Sequence, residues 1–292
     1  MFWAFLRMKV IGVPGRELLK MTGDDRYLAT GFREVDAGGD SKLSRCLEFM
    51  QNMPCFQRYK RESLDRLQLK PGSTAIDVGC GLGADAFSMA QIVGPSGLSI
   101  GIDSSERLIE RALEIYATDD VPLRFTLADA SVIPCEAGSV DAIRVDRTLQ
   151  HVTDPQHVVA GMVRVLRPGG RIVCCEPDWG TYTVNTADRL VGRALADRWQ
   201  QDIRNSWIGR QLREMLIKCG VIDVDLTGYL LFTDGWEAAN CVFDMKATVE
   251  KIMADAAENC EHYTRWLERF AAEENLPCSA SVTLFMATGT KA

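Results

Sequence analysis

The sequence predicts an α/β fold, a mostly parallel sheet with helices on both of its faces. Three observations carry that prediction. Short apolar runs alternate with helical periodicities between residues 74 and 176, a glycine-rich turn joins the first run to the first helix, and glycine and proline stops separate the units.

Each element follows from its local pattern. Between residues 42 and 69, Leu43, Leu47, Met50, Phe56, Tyr59, Leu64 and Leu67 recur at helical spacing, broken at Pro54 and stopped before "KPGS". "TAIDV" then reads as the first strand and residues 84–93 as the first helix of the alternation. "LSIGID" is the second strand, and the following helix carries Leu108, Ile109, Ala112 and Leu113 on one side. "LRFTLAD" and "VDAIRVD" are the third and fourth strands. Residues 155–166 form a helix with Pro155 in its first turn and "RPGG" at its end, and "RIVCCE" is the fifth strand.

Toward the C-terminus the pattern predicts a helix in "RQLREMLIKCG", a strand in "VIDVDLTGYLLF" and a closing strand in "CSASVTLFMATGTK". Between those strands Ala238, Val242, Met245, Val249, Ile252 and Ala256 recur at three and four, a core-facing helical stripe. Because this insertion leaves the carboxyl end of its strand, residues 235–276 are expected to cap the ligand side, together with residues 179–207. Residues 1–41 are expected to be an extension, with "RYLATGFREVD" as a flap over the site and the N-terminal segment at the interface of a homo-oligomer.

Composition narrows the function. With 292 residues, 47% of them apolar, the chain can build one large domain with additions or two small ones. A net charge of −7 and a pI near 5.2 argue against a default nucleic-acid binder, which needs a concentrated positive face. The densest basic run, "RYKRES", reads as a solvated helix face. Ten scattered cysteines without a CxxC pair fit small buried hydrophobes in a reducing, cytoplasmic setting, Cys174 and Cys175 inside a strand, and no metal site is expected. The apolar start "MFWAFLRMKVIGV" is too short to cross a bilayer and lacks a small-residue cleavage site, so a packed or partner-seeking helix is expected and no stable membrane insertion.

In an open parallel sheet, ligands bind beyond the carboxyl ends of the strands at the topological switch point. Gly79, Gly81 and Gly83 let backbone amides approach a ligand there, at an open helix N-terminus. Alone this turn also satisfies a dinucleotide pattern, through Gly79, Gly81 and Ala84, and Asp103, twenty residues after Gly83, grips a ribose in either kind of site. Three neighbours separate the readings. Asp77 puts negative charge where an ammonium or sulfonium fits and a pyrophosphate is repelled. Asp129 ends the third strand, where it can accept from an adenine amine. The loop "VDRTLQHV" is followed by "LRPGGRIV".

Through "IDVGCGLGAD", "GIDSS", "LADASVIPCEAGSVDAI" and "VLRPGGRIV", in order and at the right spacing over residues 75–176, the chain resembles the class I S-adenosylmethionine-dependent methyltransferases, in particular the small-molecule group related to the ubiquinone and menaquinone C-methylases. The resemblance implies a Rossmann-like, seven-stranded, mostly parallel sheet with an antiparallel last strand, matching residues 278–289, and helical caps. It implies S-adenosylmethionine as cofactor and S-adenosylhomocysteine as product. Gly79, Cys80 and Gly81 would then lie against the methionine part, with Asp77 nearby and Gly83 opening the helix. Asp103 would hold the ribose hydroxyls, Ser104 and Leu108 would line the nucleoside, Asp129 and Ala130 would meet the adenine, and the Arg147 backbone would close over the methionyl group. Leu108 stands where the family often has methionine, an exchange that conserves bulk.

A sulfonium methyl is already activated, so the protein must align an acceptor and exclude water, with a base only for some acceptors. His151, Glu176 and Asp178 are the candidates for that base, with His151 and Glu176 foremost. Tyr27, Trp179, Tyr182 and Trp207 are candidate substrate-facing aromatics, suited to flat substrates or to a carbocation formed on methylating an alkene. The leading expectation is methylation of a mid-sized, largely apolar metabolite of secondary metabolism, at carbon, oxygen or nitrogen. Methylation of RNA or protein, and a non-catalytic cofactor-binding protein, are the alternatives.

Overall fold

The computed structural model describes residues 27–32, 35–37, 41–116, 121–186, 188–255, 260–272 and 278–292. The apolar start at residues 1–13 and Ala256 of the helical stripe lie outside them. Seven strands form one sheet in the order β3-β2-β1-β4-β5-β7-β6. They are β1 (Thr74–Val78), β2 (Leu98–Asp103), β3 (Leu123–Leu127), β4 (Val140–Asp146), β5 (Leu166–Asn185), β6 (Val221–Asp234) and β7 (Ser279–Lys291). β7 runs antiparallel to both β5 and β6, and the other neighbouring pairs are parallel.

The helices follow the alternation. A one-turn helix α1 (Leu28–Gly31) and a 3-10 turn (Val35–Ala37) precede α2 (Ser41–Gln51) and α3 (Pro54–Arg66), which breaks from α2 at the proline that the sequence marks. Then come α4 (Ala84–Val93), α5 (Glu106–Tyr116), α6 (Pro155–Val165), α7 (Arg189–Asp202) and α8 (Ile208–Lys218). The insertion between β6 and β7 holds α9 (Trp236–Phe243), α10 (Met245–Asp255) and α11 (Cys260–Ala272). Helix α6 starts where Asp154 accepts the His157 amide at 2.9 Å and Pro155 fills the first helical position.

The central strands β1, β2, β4 and the middle of β5 are buried on both faces, which is why they read as continuous apolar runs, while the edge strands β3 and β6 are more exposed. Ile76, Val78, Ile143, Val145, Ile172 and Cys174 pack toward α6 and α8, each such aliphatic contributing about 1.5–3 kcal/mol by leaving water. Ala75, Ala142, Val173 and Cys175 face the other way, toward α2, α3 and the helices of the caps. Asp77, Arg144 and Asp146 share that second face by strand alternation, and Asp77 sits opposite Arg144 in the β1 and β4 ladder.

Three expectations need correction. Leu113 is exposed rather than part of the α5 core stripe. Strand β5 does not stop at Glu176 but runs on to Asn185, pairing again with β7 from Thr183 after an irregularity, so the helical part of residues 179–207 is α7. "RYKRES" is not a uniformly solvated face: Arg58 and Arg61 are exposed, but Tyr59 and Ser63 are buried and Lys60 turns inward, because α3 lies against the β5 and β6 end of the sheet.

Candidate active site

At the carboxyl ends of the strands, on the β1 and β4 side where the strand order reverses, lies a cavity of about 760 Å³. One end of it is built by the glycine turn. Gly79 and Gly81 adopt φ of 71° and 53°, backbone that favours glycine, and a Cβ on Gly79 would lie 2.0 Å from Thr148 Oγ1. Asp103 is locked into this turn, since its carboxylate accepts the Gly81 amide at 2.8 Å and the Ser105 amide at 3.0 Å. Burial raises its pKa, against the pull of those amides. Asp77, Cys80, Ser104, Leu108, Asp129 and Ala130 line the same cavity. Gly83 does not; a Cβ there would strike the Phe125 ring at 2.5 Å, so its role is close packing of α4 on β3.

Beneath the turn lies a cluster of charges that the sequence reading missed. Arg144, in the middle of a central strand and 0% exposed, reaches Asp85 at 2.7 Å, Asp146 at 3.1 Å and Asp77 at 3.4 Å. Lys60 pairs with Asp85 and, at 2.9 Å, with Asp146, which also accepts the Tyr59 hydroxyl at 3.1 Å. Arg147 adds a third cation, 3.4 Å from Asp146. Three carboxylates thus meet three cations, the balance that buried charge requires. Burial pushes the Asp77 carboxyl up to about 7, with Arg144 opposing the shift. Burial also works against ionisation of Asp85, but Arg144 and Lys60 outweigh it and hold that carboxyl below its ordinary range.

The loop after β4 closes the cavity. Arg147 takes a left-handed φ of 55°, and its guanidinium reaches back over the Phe56 ring, 5.0 Å from the centroid, and to Met50 Sδ at 2.9 Å. His151 lines the cavity with its ring 5.6 Å from that of Phe32. Glu176 does not line it. The strand pleat turns its carboxylate under the loop, where it is fully buried and accepts the amides of Thr148, Leu149 and Gln150 at 2.8, 2.6 and 3.3 Å. Burial pushes its pKa up to about 8 in spite of those three donors. Asp178 is likewise engaged away from the cavity, gripped by Arg210.

The far end of the cavity is aromatic. Trp179 from β5, Trp199 from α7 and Phe243 from α9 line it, with ring centroids 5.5 to 6.2 Å apart. Trp199 and Phe243 are not among the sequence candidates, because no local spacing marks the convergence of α7 and α9. Tyr27 and Tyr182 stand behind this wall, Tyr27 accepting the Thr248 hydroxyl at 3.2 Å, and neither reaches the cavity. Trp207 is 48% exposed and stacks under Arg210, outside the site. The extension crosses both ends: Leu28 and Phe32 lie at the aromatic end and Val35 and Asp36 at the other. Leu28 donates its amide to Asp244 at 2.9 Å, and Asp36 accepts the Ser105 hydroxyl at 2.5 Å and the Glu106 amide at 3.0 Å, capping α5.

The residues present fit S-adenosylmethionine. A side-chain-free bend at Gly79 and Gly81 faces a carboxylate on one side and the Asp77 and Arg147 charges on the other, and no cluster of metal-binding side chains exists among the described residues. Comparison with known proteins agrees. A family model described as a methyltransferase domain matches residues 69–268. An uncharacterized 37.1 kDa protein in a Streptomyces fradiae transposon is 36% identical over 93% of this chain and 77% of its own length. The demethylmenaquinone methyltransferase of Bacillus cereus is 32% identical over 62% of this chain and 84% of its own. Among solved structures, the YcgJ protein of Bacillus subtilis superposes with a TM-score of 0.58 at 15% identity, over 80% of this chain and 98% of its own. A phosphoethanolamine N-methyltransferase of Haemonchus contortus holding S-adenosylmethionine superposes with a TM-score of 0.57 at 17% identity, over 89% of this chain and 60% of its own.

Proposed function

The chain belongs to the class I S-adenosylmethionine-dependent methyltransferases, and on that premise we propose that it methylates a mid-sized, largely apolar small molecule of the kind made in secondary metabolism. The observation that carries this reading is the wall of Trp179, Trp199 and Phe243 at the end of the cavity opposite Asp103 and Asp129. Such a wall holds a flat or unsaturated acceptor by area and by its π faces.

The cofactor supplies an electrophilic methyl on sulfur. The chain's residues divide the remaining work. Asp103 takes the ribose hydroxyls, Ser104 and Leu108 line the nucleoside, and Asp129 and Ala130 meet the adenine. Asp77 receives the methionyl ammonium, while Gly79, Cys80, Gly81 and the Arg147 backbone enclose the methionyl chain. His151 is the one titratable ring of the sequence candidates at the cavity wall and takes the proton where the acceptor is a phenol or amine. Residues 27–32 and 35–37 act as the flap that excludes water from both halves.

Labelled S-adenosylmethionine offered with apolar small-molecule extracts, total RNA and lysate protein in parallel tests the reading. Demethylmenaquinone with a reductant is the first defined acceptor to include, after the Bacillus relative. Label in an apolar small molecule supports the proposal. Label confined to RNA or protein replaces it, and failure to form S-adenosylhomocysteine with any fraction overturns catalysis altogether.

A further inference from the structure

Gln150 is a residue to which neither the sequence pattern nor the proposed chemistry gives a role, yet all of its polar groups are spoken for. It is 5% exposed. Its amide donates to Glu176 Oε2 at 3.3 Å and its carbonyl accepts from the Asn205 amide at 3.1 Å. Its side-chain Nε2 donates to the Arg147 carbonyl at 3.0 Å, and its Oε1 accepts from Trp179 Nε1 at 2.7 Å. The partners fix which end of the side-chain amide is which, because a carbonyl needs a donor and an indole N–H needs an acceptor.

The two side-chain bonds hold residues at different halves of the cavity, Arg147 at one and Trp179 at the other. The Arg147 carbonyl belongs to a left-handed, non-glycine residue, a conformation that persists only when its surroundings hold it. Trp179 is the part of the aromatic wall that rises directly from β5, and its own backbone amide is pinned to the Ser206 carbonyl at 2.8 Å. Glu176 binds the three successive amides from Thr148 to Gln150, so the loop cannot tilt at one residue without disturbing the others. The side chain of Gln150 is therefore a strut between the turn that closes on the methionyl end and the ring that faces the acceptor.

We propose that Gln150, anchored by Glu176, is a positioning residue that joins the Arg147 turn and the Trp179 indole into one unit, so that filling the cofactor half sets the acceptor wall. The inference rests on the proposed assignment of the two halves. It makes no use of Glu176 as an acid or base.

The test uses the full chain labelled with nitrogen-15 and titrated with S-adenosylhomocysteine. The Trp179 indole N–H signal is assigned by its loss in Trp179→Phe. In the unsubstituted protein that signal shifts as the site fills. In Gln150→Leu it moves to the position of an indole without an acceptor and stops responding, and cofactor-product affinity falls about five-fold, as expected for losing, of its two side-chain bonds, the one that holds the Arg147 carbonyl at the cofactor end. Gln150→Glu keeps an acceptor for the indole but no donor for the Arg147 carbonyl, so the bonded indole signal returns while its response stays lost. Trp179→Phe weakens affinity from the other end, and Gln150→Leu with Trp179→Phe together weaken it no more than the stronger single change. An indole signal that follows the titration in Gln150→Leu as it does in the parent, or two single effects that multiply, overturns the strut. If the unsubstituted protein does not bind the product at all, the assignment of the halves fails instead.

Discussion

Asp77 offers a quantitative test of the cofactor site through pH. Its carboxyl is buried beside Arg144, and burial pushes it up to about 7, well above its ordinary value. In the free protein this raised acid holds its proton below about pH 7, and an ammonium arriving beside it favours the carboxylate. Binding therefore expels a proton below that pH, and affinity rises as pH rises through the window. If only the ionised form binds, affinity for S-adenosylhomocysteine at about pH 6 is about eight-fold weaker than at pH 7.5, and it falls a further ten-fold or so per pH unit below that. The limb levels off above about pH 7.5 because Asp77 is by then mostly ionised. Calorimetric titrations in two buffers of different ionisation enthalpy give both the affinity and the protons released. Asp77→Asn should bind weakly with this limb removed. A flat profile in the unsubstituted protein, or the same slope in Asp77→Asn, refutes the pairing of Asp77 with the ammonium.

Asp103→Ala removes a carboxylate that accepts the Gly81 amide through one oxygen and the Ser105 amide through the other, and by the worth of charged hydrogen bonds it should weaken cofactor binding about fifty-fold by calorimetry, with no compensating affinity for NADH. Gly79→Ala would carry a Cβ into Thr148 at a positive φ, so it should lower stability to urea by at least about 1–2 kcal/mol and abolish cofactor binding. Arg144→Met takes the cation from Asp77 and leaves Asp85 and Asp146 to Lys60 and Arg147, and should cost about 3–5 kcal/mol in the same assay. Deleting residues 1–35 removes Leu28, Phe32 and Val35 from the cavity wall and should reduce turnover more than cofactor affinity; unchanged kinetics would dismiss the flap.

Local patterns made much of this molecule readable in one dimension. The runs around Ile76, Ile102, Ile143 and Ile172 announce buried strands, and Pro155 and Gly220 punctuate helices, because those signals act within a few residues of themselves. Asp77, Asp103 and Asp129 were legible as cavity-lining residues for a related reason, since each lies at or just beyond the carboxyl end of a strand, on the side where ligands gather. The misses have the opposite character. Arg144 looked like an interruption of an apolar strand, and only the approach of α3 with Lys60 and of α4 with Asp85 makes it a hub. Trp199 and Phe243 become neighbours by the folding of two separate segments over the sheet, which no spacing records. Glu176 is of the same kind: a strand end at the mouth reads as pointing outward, whereas the pleat sends it beneath the loop it tethers.

The reversed strand β7 lies between β5 and β6, although it follows both in the chain. While the polypeptide is being made, β6 has no neighbour to hydrogen-bond with until residues 279–291 are synthesised and slot into the gap. Val282 of that late strand belongs to the cavity wall, so a nascent chain with all its glycine-turn residues in place would still have an open floor under the acceptor. Completing the acceptor end of the cavity therefore depends on a pairing between strands far apart in the chain, the slow kind to form.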